Sequence, residues 1–462
     1  MTTPSADTIQ ALKAGMRGPL LLPDDPGYDE ARQVWNAMID RHPAAIAQCS
    51  GVADVMHAVR IAGGEGLTVS VRGGGHNIAG NAVCDGGLTI DLSRMRAVHI
   101  DVDARLAYVE PGATLGDVDH ETQAFGLAVP LGINSTTGVS GLTLGGGFGW
   151  LTRKHGLTVD NLVAAEIVTA DGQRLWVTAE EHPDLFWAIR GGGGNFGIVT
   201  EFVFALHDVG PTVLCGLVVY PFEQAKSVLN HYRDFVDTIP DELSVWAVVR
   251  KAPPLPFLDE AEHGREVVVM AFMHAGDIDE GEGLVEPIRH FGNTLGEHVG
   301  AAPYSAWQQT LDPLLTPGAR NYWKSHNLAE LSDGAIDTVI EHAEQLPSPH
   351  CEVLVDHLGG AANRVAADAT AYAHRDVKFV MNVHGRWESA AEDAACMSWS
   401  RNVFEAMRPY ASGGVYVNFM TEEETNRVAA AYGVNYERLA RIKRQYDPGN
   451  LFHLNQNIRP AA

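Results

Sequence analysis

Ser70-Val71-Arg72-Gly73-Gly74-Gly75-His76-Asn77-Ile78-Ala79-Gly80 sets one histidine at the lip of a glycine loop. The loop has no Cβ over three consecutive residues, so backbone N–H groups can close on a phosphorylated ligand. An imidazole fixed there can act as ligand, base or covalent tether. Two further clusters follow, Gly145–Gly147 with Gly149 and Gly191–Gly194 with Gly197. Each lies beside an apolar, strand-like run. Together they point to a large cofactor wrapped by the first half of the chain.

Working outward, 462 residues are too many for a single core and predict two or three domains. A hydrophobic share of 45% with 20% charged residues belongs to a globular chain rather than a disordered one. The formal charge of −25 excludes nucleic acid and anionic membrane as natural partners, because like charges repel. Five scattered cysteines without a CxxC spacing suit reduced thiols better than a disulfide framework. The start, Met-Thr-Thr-Pro-Ser-Ala-Asp, lacks a basic stretch leading into an apolar one, and no apolar run nears the roughly 20 residues of a membrane span. The expected location is the cytoplasm.

Residues 1–40 read as a helical lead-in with a turn at 23–27. Short β and α units follow, with strands expected at 45–47, 67–71, 88–92, 106–109, 162–169 and 198–206, and a helix over 52–63. Asp171-Gly172 marks a hairpin turn. Beyond Val209-Gly210-Pro211 the glycine clusters stop. Longer alternating runs at 213–220, 245–249, 267–272, 352–357 and 379–383, with helices at 222–239 and 334–345, predict an antiparallel sheet covered by helices on one face. The expected domains are 1–208, 209–410 and a segment, 411–462, that completes the first.

One formal GxGxxG, at Gly192, Gly194 and Gly197, fails the dinucleotide-fold test. That fold needs strand, glycines, then helix, whereas here a helix-like Pro183–Ile189 precedes the glycines and a strand follows. There is no GKS or GKT for a phosphate loop, and neither HExxH nor a Cys/His cluster for zinc. No metal is expected.

The ordered motifs Val71–Asn77, Gly138–Gly149, Asp184–Gly197 and Tyr446-Asp447-Pro448-Gly449-Asn450-Leu451-Phe452 resemble the FAD-linked oxidases of the vanillyl-alcohol-oxidase superfamily, in the berberine-bridge-enzyme-like branch. The resemblance runs from about Pro23 to Pro460. It implies an α+β flavoprotein of two domains, with His76 carrying FAD through an 8α-histidyl bond. It implies a cofactor cradle of Arg72, Gly73, Gly74, Gly75 and Asn77, then Asn134, Thr137, Gly138, Gly141 and Leu142, with Gly146, Gly147, Asn195, Gly197, Ile198, Asn418 and Asn455 around it. Many relatives carry a second tether, a cysteine four residues before the Gly-Val-x-Gly-Leu run. Asn134 occupies that place here, so the expected attachment is through His76 alone.

Oxidation of an alcohol or amine also needs a group that handles the departing proton. Tyr416-Val417-Asn418, in a β-like run, matches the family's Tyr-x-Asn motif. Tyr416 is the expected base or substrate-hydroxyl partner, the alternative being a packed sheet tyrosine. A phenol with pKa near 10 needs an acceptor or a concerted step. Asp356, expected where its strand ends near Gly359-Gly360, is the candidate partner, with a plain turn residue as the alternative. Asn418 could bond the flavin edge or cap a loop. Arg320–Lys324 reads as a helix start at the surface, the alternative being a lining of the substrate cavity by its aromatic and basic groups, and His326, His357 and His384 as core or surface histidines. Gly132 lies where relatives control oxygen access and favours an open path. The expected reaction is two-electron oxidation of a C–OH or C–N bond of a small molecule, by hydride transfer to the flavin N5 with O2 as acceptor. A dehydrogenase using another acceptor and a ring-forming tailoring enzyme are the alternatives.

Overall fold

A computed structural model describes residues 3–462. Near the N-terminus, Ala45–Gln48 and Val69–Arg72 both run parallel to Leu88–Asp91, and Leu20–Leu21 adds an antiparallel edge. Parallel strands need a crossover, and Val52–Glu65 supplies a helix that buries Val55, Val59 and Ala62 against them. The strand Val69–Arg72 delivers the glycine loop at its carboxyl end, where open α/β sheets bind ligands.

A second sheet of five antiparallel strands has the order Val98–Asp101, Leu106–Val109, Ile198–Ala205, Leu162–Val168, Arg174–Val177. Asp171-Gly172 does form the hairpin turn of its last pair, with Gly172 at φ 74°. The helix Pro183–Ile189 precedes the third glycine cluster and the strand Ile198–Ala205 follows it, the order opposite to a dinucleotide fold.

Residues 212–387 supply the largest sheet, seven antiparallel strands in the order Gly296–Pro303, Thr212–Pro221, Glu266–His274, Leu243–Lys251, Glu352–His357, Phe379–Trp387, Arg320–Leu328. Helices Ala225–Val236, Asp333–Ala343 and Asp393–Met407 pack on one face through Val228, Tyr232, Ile336, Val339, Cys396 and Val403. The other face turns toward Phe148, Trp150, Leu157 and Tyr416. Helix Tyr436–Tyr446 buries Leu439 and Ile442 in the core that also holds Leu185, Ile189 and Phe196. All five cysteines are buried and free. Among the described residues, no helix is long and apolar enough to cross a membrane.

Two local expectations are corrected. Arg320–Lys324 opens a strand, Arg320–Leu328, paired along its length with Phe379–Trp387, instead of a surface helix. Its polar side chains tolerate burial because they are paired, Arg320 with Asp393 and Lys324 with Glu423 and Glu424. Val417–Phe419 is a short 3₁₀ turn closed by Phe419 N–H donating to Tyr416 C=O, not an extended run.

Candidate active site

A cavity of about 760 Å³ runs from the glycine loops to the inner face of the seven-stranded sheet. Its walls include Gly73–Asn77, the 132–142 segment, Gly193, Gly194, Gly197, Ile198 and the tail residues Asn455 and Gln456. Its floor is the sheet face carrying Trp246, Arg250, Glu352, Asp356, Asn382 and His384.

His76 stands on the wall, partly open to the cavity. The Trp35 ring stacks on its imidazole at 5.1 Å and 20°. Trp35 N–H also donates to Gly75 C=O at 3.1 Å, which ties the glycine loop to the N-terminal segment. The His76 Nε2 lies 2.9 Å from Thr136 Oγ1, whose proton goes to Asn134 Oδ1 at 2.6 Å. The threonine oxygen therefore accepts from Nε2–H, and the lone pair is left on Nδ1, 3.4 Å from Thr137 Oγ1. Desolvation pushes the imidazole pKa down to about 4, so the ring is neutral at neutral pH.

Tyr416 is 3% exposed, and its ring is flanked edge-on by Phe148 and Phe419, each at 4.9 Å. Its oxygen accepts from Gly147 N–H at 3.1 Å and from Asn418 Nδ2 at 2.9 Å. Asn418 Nδ2 also donates to Leu142 C=O. Burial raises the phenol to about 12 while both donors pull it back, so it is protonated at neutral pH.

The match to known proteins decides the family. A family model for an FAD binding domain matches residues 43–178, and one for berberine and berberine-like proteins matches 415–459. An uncharacterized FAD-linked oxidoreductase, YgaK, of Bacillus subtilis is 32% identical over 97% of this chain and 98% of its own length. (R)-6-hydroxynicotine oxidase of Paenarthrobacter nicotinovorans is 30% identical over 98% and 99%. The chain belongs to the berberine-like FAD-linked oxidoreductases. A crystal structure of 6-hydroxy-D-nicotine oxidase from Arthrobacter nicotinovorans superposes on this oxidoreductase with a TM-score of 0.87 at 30% identity, covering 96% of this chain and 98% of that one.

The cavity of this oxidoreductase fits a flavin dinucleotide. Gly141 and Gly194 line it with nothing within 4 Å of where a Cβ would project, a cradle that any side chain would fill. Apolar walls from Val69, Val71, Leu142 and Ile198 suit flat rings, and Asn455 offers a buried carbonyl oxygen without a protein partner. Gly74 serves a different need. A methyl group there would come within 3.0 Å of the Gly138 backbone, so the first two glycine loops meet main chain to main chain. Gly74→Ala is expected to cost about 1–3 kcal/mol through overpacking and to lower flavin content, read by denaturant melts and absorbance.

Several expected cofactor residues lie elsewhere. Arg72 turns away and donates to Ala31 C=O. Asn195 is fully buried, donating to Gly192 C=O and Gln456 C=O and accepting from Ile458 N–H, so it staples the C-terminal tail. Gly146 and Gly147 stay off the cavity wall; their positive φ values bring the Gly147 N–H onto Tyr416. The other expected cradle residues, with Gly132, line the cavity. Asn77 also caps its own loop, accepting from Asn81 N–H.

Asp356 is the second-to-last residue of the strand Glu352–His357, opposite Trp246, close before Gly359-Gly360 as expected, and a paired strand residue instead of a turn residue. It faces the cavity with Oδ1 unpartnered and makes no hydrogen bond to Tyr416. Burial, helped by the Glu352 charge, lifts its pKa well above the usual carboxylate range. His326 and His357 are core histidines, packed on Phe404 and Phe379. His384 lines the cavity instead, and so does Trp323, from the Arg320–Lys324 run whose alternative reading is a cavity lining; sequence reasoning missed His384 and Trp35. The available signal was the polar alternation Glu352-x-Leu354-x-Asp356 and Asn382-x-His384 in buried strands, which marks a wet sheet face.

Proposed function

We propose that this oxidoreductase is an oxidase for a small alcohol, sugar or cyclic amine, with FAD joined to His76 alone and O2 as the final acceptor. The observation that carries the reading is the neutral His76 imidazole, held by Trp35 and Thr136 on the wall of a cavity sized for the cofactor. When bound, FAD supplies the two-electron oxidant. Asn134, where relatives would place a second tether, acts through Thr136 to orient His76. Gly132 lines the cavity with Leu142 Cδ1 packed 2.8 Å from where its Cβ would project, so support for O2 as acceptor comes from the oxidase relatives and not from an opening there. The 6-hydroxynicotine oxidase relative makes an amine one candidate substrate.

Tyr416 orients the substrate. Its oxygen already accepts two N–H donors, so its own proton is free to point at a substrate heteroatom. Asn418 holds that arrangement and bridges it to Leu142. Tyr416→Phe is expected to leave flavin content unchanged and lower kcat by about 10²-fold, measured as peroxide release. The domains fall at 1–208, 209–410 and 411–462 in this reading. The continuous core shared by Ile189, Leu439 and Ile458 supports joining the last segment to the first. Buried free thiols suit the reducing cytoplasm.

The test is anaerobic. A panel of alcohols, sugars and amines is screened for bleaching of the flavin, and air is then admitted. Rapid return of colour with peroxide supports the oxidase, whereas a flavin that stays bleached until a quinone is added makes it a dehydrogenase.

A further inference from the structure

Three titratable side chains form one row across the cavity floor. Arg250, Glu352 and His384 sit on adjacent strands, with Arg250 opposite Glu352 and Glu352 opposite His384. Trp323 continues the row on the next strand and meets the imidazole edge-on at 4.4 Å. One carboxylate oxygen of Glu352 pairs with Arg250 Nη1 at 2.7 Å, and the other accepts from His384 Nδ1 at 2.9 Å. All three are buried by protein, yet all three line the cavity. The His384 Nε2 has no partner.

We infer that His384 is a further catalytic residue, whose Nε2 takes the proton that the substrate's hydroxyl or amine group releases on oxidation, with Glu352 and Arg250 as its positioning residues. This rests on the reading that the cavity oxidises a C–OH or C–N bond. An ionised carboxylate only accepts, so Glu352 fixes the proton on Nδ1 and leaves Nε2 as a buried, unpartnered acceptor on a ring that lines the cavity. Arg250 keeps Glu352 charged at that depth. Burial opposes its ionisation, but the guanidinium and the His384 hydrogen bond hold its pKa down to about 2. Desolvation keeps His384 below its ordinary pKa, so the ring is neutral and ready to accept. Of the two alternatives on the wall, Tyr416, its phenol raised to about 12, already carries its proton at neutral pH, and burial with the Glu352 charge pushes Asp356 well above the usual carboxylate range.

The step balances within these groups. The substrate O–H or N–H bond breaks, an Nε2–H bond forms, and the bonding pair stays on the substrate heteroatom. The flavin is the oxidant for the carbon. The new imidazolium is stabilised by the Glu352 carboxylate already in contact with Nδ1, the arrangement that makes carboxylate-backed histidines effective bases. The charged groups facing His384 are Glu352 and Arg250 on the neighbouring strands and Arg386 on its own.

Diethyl pyrocarbonate at neutral pH, followed by peptide mapping of the holoenzyme, is the direct readout. His384 should be carbethoxylated from the cavity, while His326 and His357 should not. With (R)-6-hydroxynicotine and cellobiose as probes, H384Q should keep its flavin absorbance, lose about 10²-fold or more in kcat, and lose the acid limb of the kcat profile. E352Q should move that limb to lower pH, and E352D should restore it. If E352Q fails to fold because Arg250 is left unpaired, the R250Q/E352Q double variant carries the same test. An unmodified His384, or an H384Q enzyme within about threefold of wild-type kcat with its acid limb intact, overturns the inference. If neither probe bleaches the wild-type flavin, the oxidase reading fails for them, and carbethoxylation still decides whether Nε2 is open.

Discussion

His76→Ala is expected to give protein whose flavin washes out on acid precipitation and whose kcat falls by roughly tenfold or more, about 1.4 kcal/mol of lost transition-state stabilisation. Two effects combine. The variant must hold its cofactor by non-covalent contacts alone, so part of the preparation is colourless. A histidyl substituent on the ring also withdraws electron density, so its removal lowers the potential and slows substrate oxidation. Trp35→Ala separates positioning from bonding. The indole stacks on His76, its Nε1–H donates to Leu315 C=O, and the Arg386 guanidinium lies 5.1 Å from its ring centroid. This variant should bind flavin yet couple it slowly and incompletely, visible as a mixture of released and protein-bound colour after denaturation.

Lys443→Met should produce the largest loss of stability. The ammonium group is fully buried and donates to Asn195 C=O at 2.7 Å, Asp447 Oδ2 at 2.6 Å and Phe452 C=O at 2.9 Å. Asp447 in turn accepts from the N–H groups of Leu451 and Phe452. One ion pair thus ties helix Tyr436–Tyr446, the third glycine cluster and the tail that carries Asn455 to the cavity. Removing the cation strands a buried carboxylate, which costs about 3–5 kcal/mol. The double variant Lys443→Met/Asp447→Asn should recover part of that loss, because no uncompensated charge remains. Urea melts of the holoenzyme and its variants measure both quantities. Near-wild-type stability of the single variant would mean that the tail is anchored by its apolar contacts alone.

The legible parts of this chain were those whose physics is local. Val69–Arg72 and Leu88–Asp91 announce themselves as β-rich runs bounded by glycine, and Val52–Glu65 by helical spacing of Val55, Val59 and Ala62. The alternating strands beyond residue 211 were also readable, because one face of each packs under helices. Pairing order was not. Arg320–Leu328 lies at the sheet edge beside Phe379–Trp387, and nothing local shows that Arg320 and Lys324 would be buried against distant carboxylates. The same limit applies to the site. His76 was visible from its glycine loop, and Tyr416 with Asn418 from a motif. Trp35 is 41 residues from His76 in sequence (76 minus 35) and meets it only through folding. The row Arg250, Glu352, His384 needs three strands in register before it exists. Asn195 and Gly147 sit in the expected motifs but spend their hydrogen bonds on protein, a distinction that composition and spacing do not carry.

The most direct test is the wild-type protein precipitated with acid, washed, and digested. A flavin tethered to residue 76 leaves a yellow pellet and a single fluorescent peptide spanning the glycine loop, with none from the 132–142 segment. A white pellet under a yellow supernatant, or label on any other residue, would contradict it.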